Sequence, residues 1–233
     1  MSSQFVSERI DLNRYFKNVS FLLLFLLLVR ILAMFLIPLN DSTEARYGEI
    51  ARIMLETGNG ITPMQEYNVP FWAKPPLSTW LASISMYVFG VNEFAARLPS
   101  LLVAVGVLCL VWRLAIVRHG QYFALNTVLI LSGSLFFYLN AGTVMTDSVL
   151  VFSTTLAIIA FWFAVSEFTR FWGYVFFIAL GIGMLAKGPI AIVLSGLPIF
   201  FWVLFYNKWR ILWQRLPWFS GLCLTFIISL PWY

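Results

Sequence analysis

Long apolar runs, broken by short polar stretches, set the pattern of this chain. The first covers residues 20–39, and others follow at 95–116, 122–140, 147–166, 173–187, 189–206 and 217–233. A helix needs about 20 mostly apolar residues to cross a hydrocarbon core about 30 Å thick. Within lipid every backbone polar group needs an internal partner, which favours helices for such runs. The pattern therefore predicts seven membrane-spanning helices. A shorter apolar segment, 77–90, opens after Pro75-Pro76. As a helix it would be about 21 Å long, so it is expected to lie at the interface without crossing. The first run ends in Phe35-Leu36-Ile37-Pro38-Leu39-Asn40, with no small-x-small cleavage pattern. It reads as an uncleaved first helix and not as a signal peptide.

Between the first and second spans lies the most polar part of the chain, a loop over about residues 40–92. Within it, Glu44 to Glu56 has helical periodicity. Tyr47, Ile50, Ala51, Met54 and Leu55 recur on one face, and Arg46, Glu49, Arg52 and Glu56 on the other. Gly58-Asn59-Gly60 ends it. Such a helix is expected to lie on the outer membrane surface. The architecture is thus an all-α, polytopic membrane protein. It forms a single transmembrane domain over 1–233, with interfacial helices in its first outer loop and no internal repeat.

Composition narrows the function classes. Of 233 residues, 61% are hydrophobic and 11% charged, against about 25% charged in soluble domains. The mean hydropathy is +0.87. A water-soluble domain and a disordered chain are excluded. The net charge of +5 is spread over membrane flanks, which excludes a nucleic-acid binder. The two cysteines, Cys109 and Cys223, fall in apolar runs and are expected to be buried small apolar residues.

Charge also orients the chain. With the N-terminus inside and 77–90 not crossing, nine basic residues lie inside: Arg9, Arg14, Lys17, Arg113, Arg118, Arg170, Lys208, Arg210 and Arg215. Five lie outside: Arg46, Arg52, Lys74, Arg97 and Lys187. Letting 77–90 cross would reverse the counts, against the positive-inside rule. The same topology gathers Trp112, Trp162, Trp172, Trp209, Trp213 and Trp218 near one face as an aromatic belt. Arg30 is left inside the first span.

Candidate chemistry collects on the outer side. Asp41 and Glu44 have the spacing of a helix N-cap and its capping-box partner, yet they are also a carboxylate pair beside Arg46 at a membrane with few acids. Lys74 stands before Pro75-Pro76, either snorkelling at the interface or held rigidly to meet an anion. Asp147 opens an apolar run, as a cap or as a costly carboxylate kept for function. Lys187, in Leu185-Ala186-Lys187-Gly188-Pro189, adds an ammonium to the start of the next helix, a natural anion site. Acids and cations at the membrane boundary suit transfer of a group from a lipid-attached phosphate. Cations would stabilise the leaving phosphate, and a carboxylate would orient or deprotonate an acceptor hydroxyl. No Gly-rich phosphate loop, metal-ligand cluster or Ser/His/Asp set is present in the sequence. The single histidine, His119, lies on the inner side.

At these residues the chain resembles bacterial membrane glycosyltransferases related to protein O-mannosyltransferases and lipid A aminoarabinose transferases. The resemblance rests on Asp41-Ser42-Thr43-Glu44-Ala45-Arg46-Tyr47-Gly48-Glu49-Ile50-Ala51-Arg52, on Lys74-Pro75-Pro76, and on Phe89-Gly90-Val91-Asn92-Glu93-Phe94-Ala95-Ala96-Arg97-Leu98-Pro99. Asp147 and Met184-Leu185-Ala186-Lys187-Gly188-Pro189 extend it. It implies a GT-C fold in the bacterial inner membrane, with the N-terminus cytoplasmic and the active site periplasmic. It further implies inverting transfer of a sugar from a polyprenyl-phosphate donor to a lipid, glycan or protein acceptor. Asp41 or Glu44 would be catalytic, and Arg46, Tyr47, Lys74, Asp147 and Lys187 would bind substrate. No cofactor is expected beyond the lipid-linked donor itself, with the part of a divalent metal left open. Two departures stand out. Where family members often have Asp-Glu-x-Arg-Tyr, this chain has Thr43-Glu44-Ala45-Arg46-Tyr47, with Asp41 two residues earlier. Where they often have Glu before the Lys-Pro pair, it has Ala73. Family members also usually continue into further helices and an outer C-terminal domain, so a partial chain is expected. The rival readings are a transporter or flippase of a lipid-linked sugar and a non-catalytic membrane subunit.

Overall fold

The computed structural model describes residues 2–167 and 169–233, with side chains from residue 13 onward. The side chain of Arg9, one of the expected inner charges, lies outside the described residues. Helix α1 covers Ser2–Leu36, so the polar leader is helical as well as the apolar run. It stops just before Pro38, which disfavours helical backbone at the residue preceding it. Phe21, Leu24, Leu32 and Phe35 on α1 are exposed, as expected of a surface that faces lipid.

The outer loop is folded. Helix α2 spans Ser42–Thr57 and ends at Gly58. Strands β1 (Met64–Glu66) and β2 (Val69–Pro70) form a small antiparallel hairpin, which the helical pattern did not foresee. Asn68 makes its turn in the left-handed region, at φ 66°, where Asn is among the few tolerated side chains. Helix α3, Leu77–Phe89, is about 20 Å long, too short to cross, as expected. The apolar face of α2 does not rest on the membrane surface. Ala51 packs with Ala82 and Met86 of α3, with Ala95 and Ala96, and with Val144. It is α3 that turns Ile84, Tyr87 and Val88 outward.

Helix α4 runs from Glu93 to Gly133. Asn92 caps it, accepting from the Ala95 N–H at 2.8 Å. Inside it, Gly120 has φ 83° and ψ 176°, a backbone that glycine alone adopts readily, and there the chain reverses. Near the start of α1, Tyr15 meets Asn126 at 2.5 Å and the ring of Tyr122. Near the end of α1, the Met34 carbonyl accepts from Arg97 at 3.2 Å and Arg30 reaches the Leu139 carbonyl at 2.6 Å. So α4 leaves one end of α1 and returns to it, giving the two expected arms. A short helix α5, Leu135–Asn140, completes the second arm.

Helices α6 (Thr146–Ser166), α7 (Arg170–Lys187) and α8 (Ile190–Tyr206) form the main core. Ala157, Ala160 and Ala164 of α6 let Phe176, Phe177 and Ala179 of α7 approach closely, with Ile199 and Val203 of α8 behind them. Helices α9 (Trp209–Arg215) and α10 (Trp218–Ser229) close the chain. The Thr225 hydroxyl donates to the Phe177 carbonyl at 2.8 Å.

Among the described residues, four helices are long and apolar enough to qualify as spans: residues 13–36, α4, α6 and α7. The α9–α10 pair, bent by 64°, gives a fifth when it is counted as one broken span. Seven spans were expected; α4 covers two of the apolar runs in two arms, and α8, at 17 residues and about 26 Å, is shorter than the helices that qualify. The last expected span, 217–233, is shorter than the apolar run because α10 ends at Ser229. Cys109 and Cys223 are free and exposed, not buried. A small apolar thiol can face lipid at little cost.

Candidate functional site

One end of the bundle carries the outer loop, the turn at 141–145, the α7–α8 junction and the chain's last residues. Its frame is a buried ion pair. Glu44, on the first turn of α2, is 4% exposed, and so is Arg97 on α4. Arg97 Nε donates to Glu44 Oε1 and Nη2 to Oε2, each at 2.8 Å. The Val144 N–H adds a bond to Oε1 at 3.1 Å. The other guanidinium hydrogens meet the carbonyls of Met34 and Pro38, each at 3.2 Å, and of Ile37. One guanidinium thus ties the end of α1, the start of α2 and the start of α4, while the carboxylate adds the 141–145 turn. In the sequence Arg97 is an outer charge and part of a motif shared with the family, with no sign of its partner. Its signal was an ionisable side chain in an apolar helix, which requires a partner.

Asp41 is the N-cap of α2, its Oδ1 accepting from the Thr43 N–H at 3.3 Å. The reciprocal capping-box bond is absent because Glu44 turns to Arg97. Asp41 is exposed and its carboxylate is otherwise open.

Asp147, at the start of α6, pairs with Lys187, at the end of α7. The two sit 40 residues apart in sequence, and the close packing of α6 on α7 brings them together. Their side chains are 45% and 25% exposed respectively, so the pair faces an accessible space. Asp147 also lines a cavity of about 290 Å³ that runs beneath α5 past Ser148, Asn140 and Phe137.

Tyr47 is half-buried, and burial pushes its hydroxyl above the usual tyrosine range. Arg46 acts against that shift and Asp147 with it, which brings the three residues into one electrostatic neighbourhood. The Tyr47 ring packs edge-on against Phe71 at 6.1 Å. Next along the chain, Trp72 meets Trp232 at 5.5 Å, and Tyr233 donates to the Met184 carbonyl at 3.3 Å. Met184 lies one turn before Lys187. Aromatic side chains from α2, the hairpin's exit and the last residues therefore line this end of the bundle, tied to α7 through the Met184 carbonyl. Nothing in the local sequence of Trp232 and Tyr233 marks them for this place, because the contacts that bring them there arise in tertiary packing.

Lys74 follows Trp72 along the chain and is half-buried, and Arg46 is exposed. No ion pair ties either one to a carboxylate among the described residues. Among the described residues no hydrogen bond links Asp41 or Lys74 to Lys187. On the far side of α2, Arg52 binds Glu49 at 2.6 and 2.8 Å and also Glu56, which accepts from the Tyr67 hydroxyl at 2.5 Å. This network fixes the hairpin to the helix. Among the described residues, no group of three or more His, Cys, Asp or Glu side chains could hold a metal ion.

The chain has recognisable relatives. The sequence pattern of the dolichyl-phosphate-mannose-protein mannosyltransferase family matches residues 17–233. An undecaprenyl phosphate-alpha-4-amino-4-deoxy-L-arabinose arabinosyl transferase from Wigglesworthia glossinidia brevipalpis is 31% identical over 188 residues, covering 76% of this chain and 33% of that protein. The counterpart from Photorhabdus laumondii is 31% identical over 223 residues, covering 89% and 39%. The crystal structure of ArnT from Cupriavidus metallidurans bound to undecaprenyl phosphate superposes with a TM-score of 0.85 at 25% identity, over 92% of this chain and 40% of that one. The chain thus spans about a third to two-fifths of the length of these relatives. Its fold is the polytopic membrane fold of that solved structure, as the GT-C expectation required. By the match over residues 17–233, the chain belongs to the dolichyl-phosphate-mannose-protein mannosyltransferase family.

Proposed function

We propose that this chain is the membrane-embedded part of a glycosyltransferase. It would move a sugar from a polyprenyl-phosphate donor to a lipid, glycan or protein acceptor at the periplasmic face of the bacterial inner membrane. The observation that carries this reading is the Asp147–Lys187 pair at the end of the bundle that also carries Tyr47, Arg46 and Lys74, the last two tied to no carboxylate by an ion pair among the described residues. Relatives that use an undecaprenyl-phosphate-linked sugar, and a solved relative bound to undecaprenyl phosphate, support it.

The charges suggest how the work divides. Lys187 is balanced by Asp147, so the surplus positive charge for a phosphate comes from Arg46 and Lys74. Developing charge on the leaving phosphate is stabilised where donors are already in place and water is scarce. Tyr47 keeps its proton and can donate it in a hydrogen bond. Asp41, the open carboxylate, takes the proton from the acceptor hydroxyl. That oxygen then attacks the anomeric carbon, the carbon–oxygen bond to the phosphate breaks, and the polyprenyl phosphate leaves with the electron pair. Attack opposite the leaving group inverts the sugar. Glu44 has both oxygens engaged and holds the frame in place. No cofactor enters this scheme.

The test is a transfer assay with a labelled polyprenyl-phosphate sugar in reconstituted membranes. Free polyprenyl phosphate should accumulate as the donor is consumed, and Lys74→Ala and Asp41→Ala should abolish it without loss of membrane insertion. Movement of intact donor between leaflets, with no free phosphate released, would instead identify a transporter.

A further inference from the structure

A second polar feature lies away from this site. Arg30 projects from the apolar part of α1 and lines a cavity of about 330 Å³ between α1 and the two arms of α4. Leu23 and Leu27 precede it on the same face of α1, and Leu101, Val105 and Leu108 stand opposite on α4, with Val128 on the returning arm. Positions spaced by three and four residues make a straight groove, about 10 Å long from residue 23 to residue 30. Arg30 closes it at the end nearest the loops.

The guanidinium is incompletely satisfied. One Nη donates to the Leu139 carbonyl at 2.6 Å, and the group lies 5.9 Å from the centre of the Tyr138 ring. Nε is buried and has no partner. A Cβ at residue 142 would come within 2.6 Å of that nitrogen, so the guanidinium packs directly on the Gly142 backbone. The carboxylate within its electrostatic reach, Glu44, has both oxygens committed to Arg97. Two arginines thus share one carboxylate beside hydrocarbon, where an unpaired charge is costly.

We propose that this groove holds one acyl chain of an anionic bilayer phospholipid, whose phosphate pairs with Arg30. A straight apolar trough ending in a cation matches that ligand in shape and in charge order. Ala104, Phe137 and Ala141 line both this groove and the cavity beneath Asp147, so the two adjoin, but Arg30 lines only the first and Asp147 only the second. A phosphate on Arg30 is thus distinct from one at the Asp147–Lys187 site, and the occupant proposed for the groove is a bilayer lipid. The bound lipid neutralises Arg30, steadies its hold on the Leu139 carbonyl, and so braces the 141–145 turn against Glu44.

The test titrates the full chain in micelles with phosphatidylglycerol, phosphatidylcholine or undecaprenyl phosphate. Native mass spectrometry counts bound lipid and thermal unfolding reads the shift in Tm. One phosphatidylglycerol should be retained and should raise Tm, with phosphatidylcholine at least tenfold weaker. Arg30→Gln should lose that preference. Val105→Trp fills the trough from an exposed position while leaving Arg30 intact. It should lose the adduct too, which guards against misfolding of the first variant. Equal retention of the two phospholipids overturns the proposal, as does unchanged binding by Val105→Trp. Preferential retention of undecaprenyl phosphate, lost in Val105→Trp, would overturn it by assigning the groove to the donor.

Discussion

Glu44 and Arg97, 53 residues apart in the chain, share a buried two-bond ion pair, and the Val144 N–H adds a third bond to the same carboxylate. The pair joins four separate segments at one end of the bundle, so the position of α2 relative to the 141–145 turn depends on it. In the sequence the same glutamate stands three residues after Asp41, and the two looked alike. Burial separates their roles.

That separation is measurable. Removing one partner of a buried pair costs about 3–5 kcal/mol, so Glu44→Ala should lower the unfolding free energy by about that much in a denaturant titration. Asp41→Asn keeps an equally good N-cap and should change stability by less than about 0.5 kcal/mol. Transfer activity should nevertheless vanish in Asp41→Asn. Wild-type turnover in that variant would remove Asp41 from the mechanism.

The Asp147–Lys187 pair should behave in the opposite way. It is partly exposed, and exposed pairs contribute about 0–1 kcal/mol. Asp147→Ala and Lys187→Ala should therefore unfold close to wild type. Their turnover should fall by about 100-fold or more, the usual effect of losing a preorganised charge at a transition state. A large stability loss with near-normal turnover would make the pair structural.

The network on the far face of α2 should respond to acid. The Arg52 hydrogen bond holds Glu49 below the usual carboxylate range against an opposing effect of burial. The Tyr67 hydroxyl, followed by Arg52, does the same for Glu56. Both folded-state values lie below the unfolded value of about 4.3. The stabilisation is therefore complete above that pH and is lost as pH falls through the depressed values. Hydrogen exchange in the hairpin amides should rise only on acidification below about pH 4. Tyr67→Phe should move that rise to higher pH. Exchange independent of pH in this range would show that the network does not hold the hairpin.

Orientation can be read by labelling single cysteines in a background without Cys109 and Cys223. Asn59→Cys, in the outer loop, should react with an impermeant thiol reagent added to intact spheroplasts. His119→Cys, at the opposite end beside Gly120, should react only after permeabilisation. The reverse pattern would invert the topology and move the proposed site to the cytoplasm.

Much of the architecture was legible in the chain. Apolar runs and their breaks marked α1, both arms of α4, α6 and α7, because an extended hydrophobic stretch in a helix satisfies its own backbone wherever it lies. The 3.6-residue pattern likewise marked α2, and the Pro-Pro pair marked the start of α3. The hairpin at 64–70 was not legible, since its five strand residues are too few to show a two-residue period. Nor was the burial of the apolar face of α2 against α3 and α4, because an amphipathic pattern says that one face is covered and not by what.

The sequence by itself determined the class of the molecule, the segments that meet lipid, and the end of the bundle on which acids and bases would gather. Those follow from local hydropathy and from charge counted along the chain. Which charge meets which was decided only by tertiary packing. Glu44 took Arg97 in place of a capping bond, Asp147 took Lys187, and Arg30 was left without a carboxylate. Each pairing joins helices distant in the chain, and its energy depends on desolvation that exists only once those helices have packed.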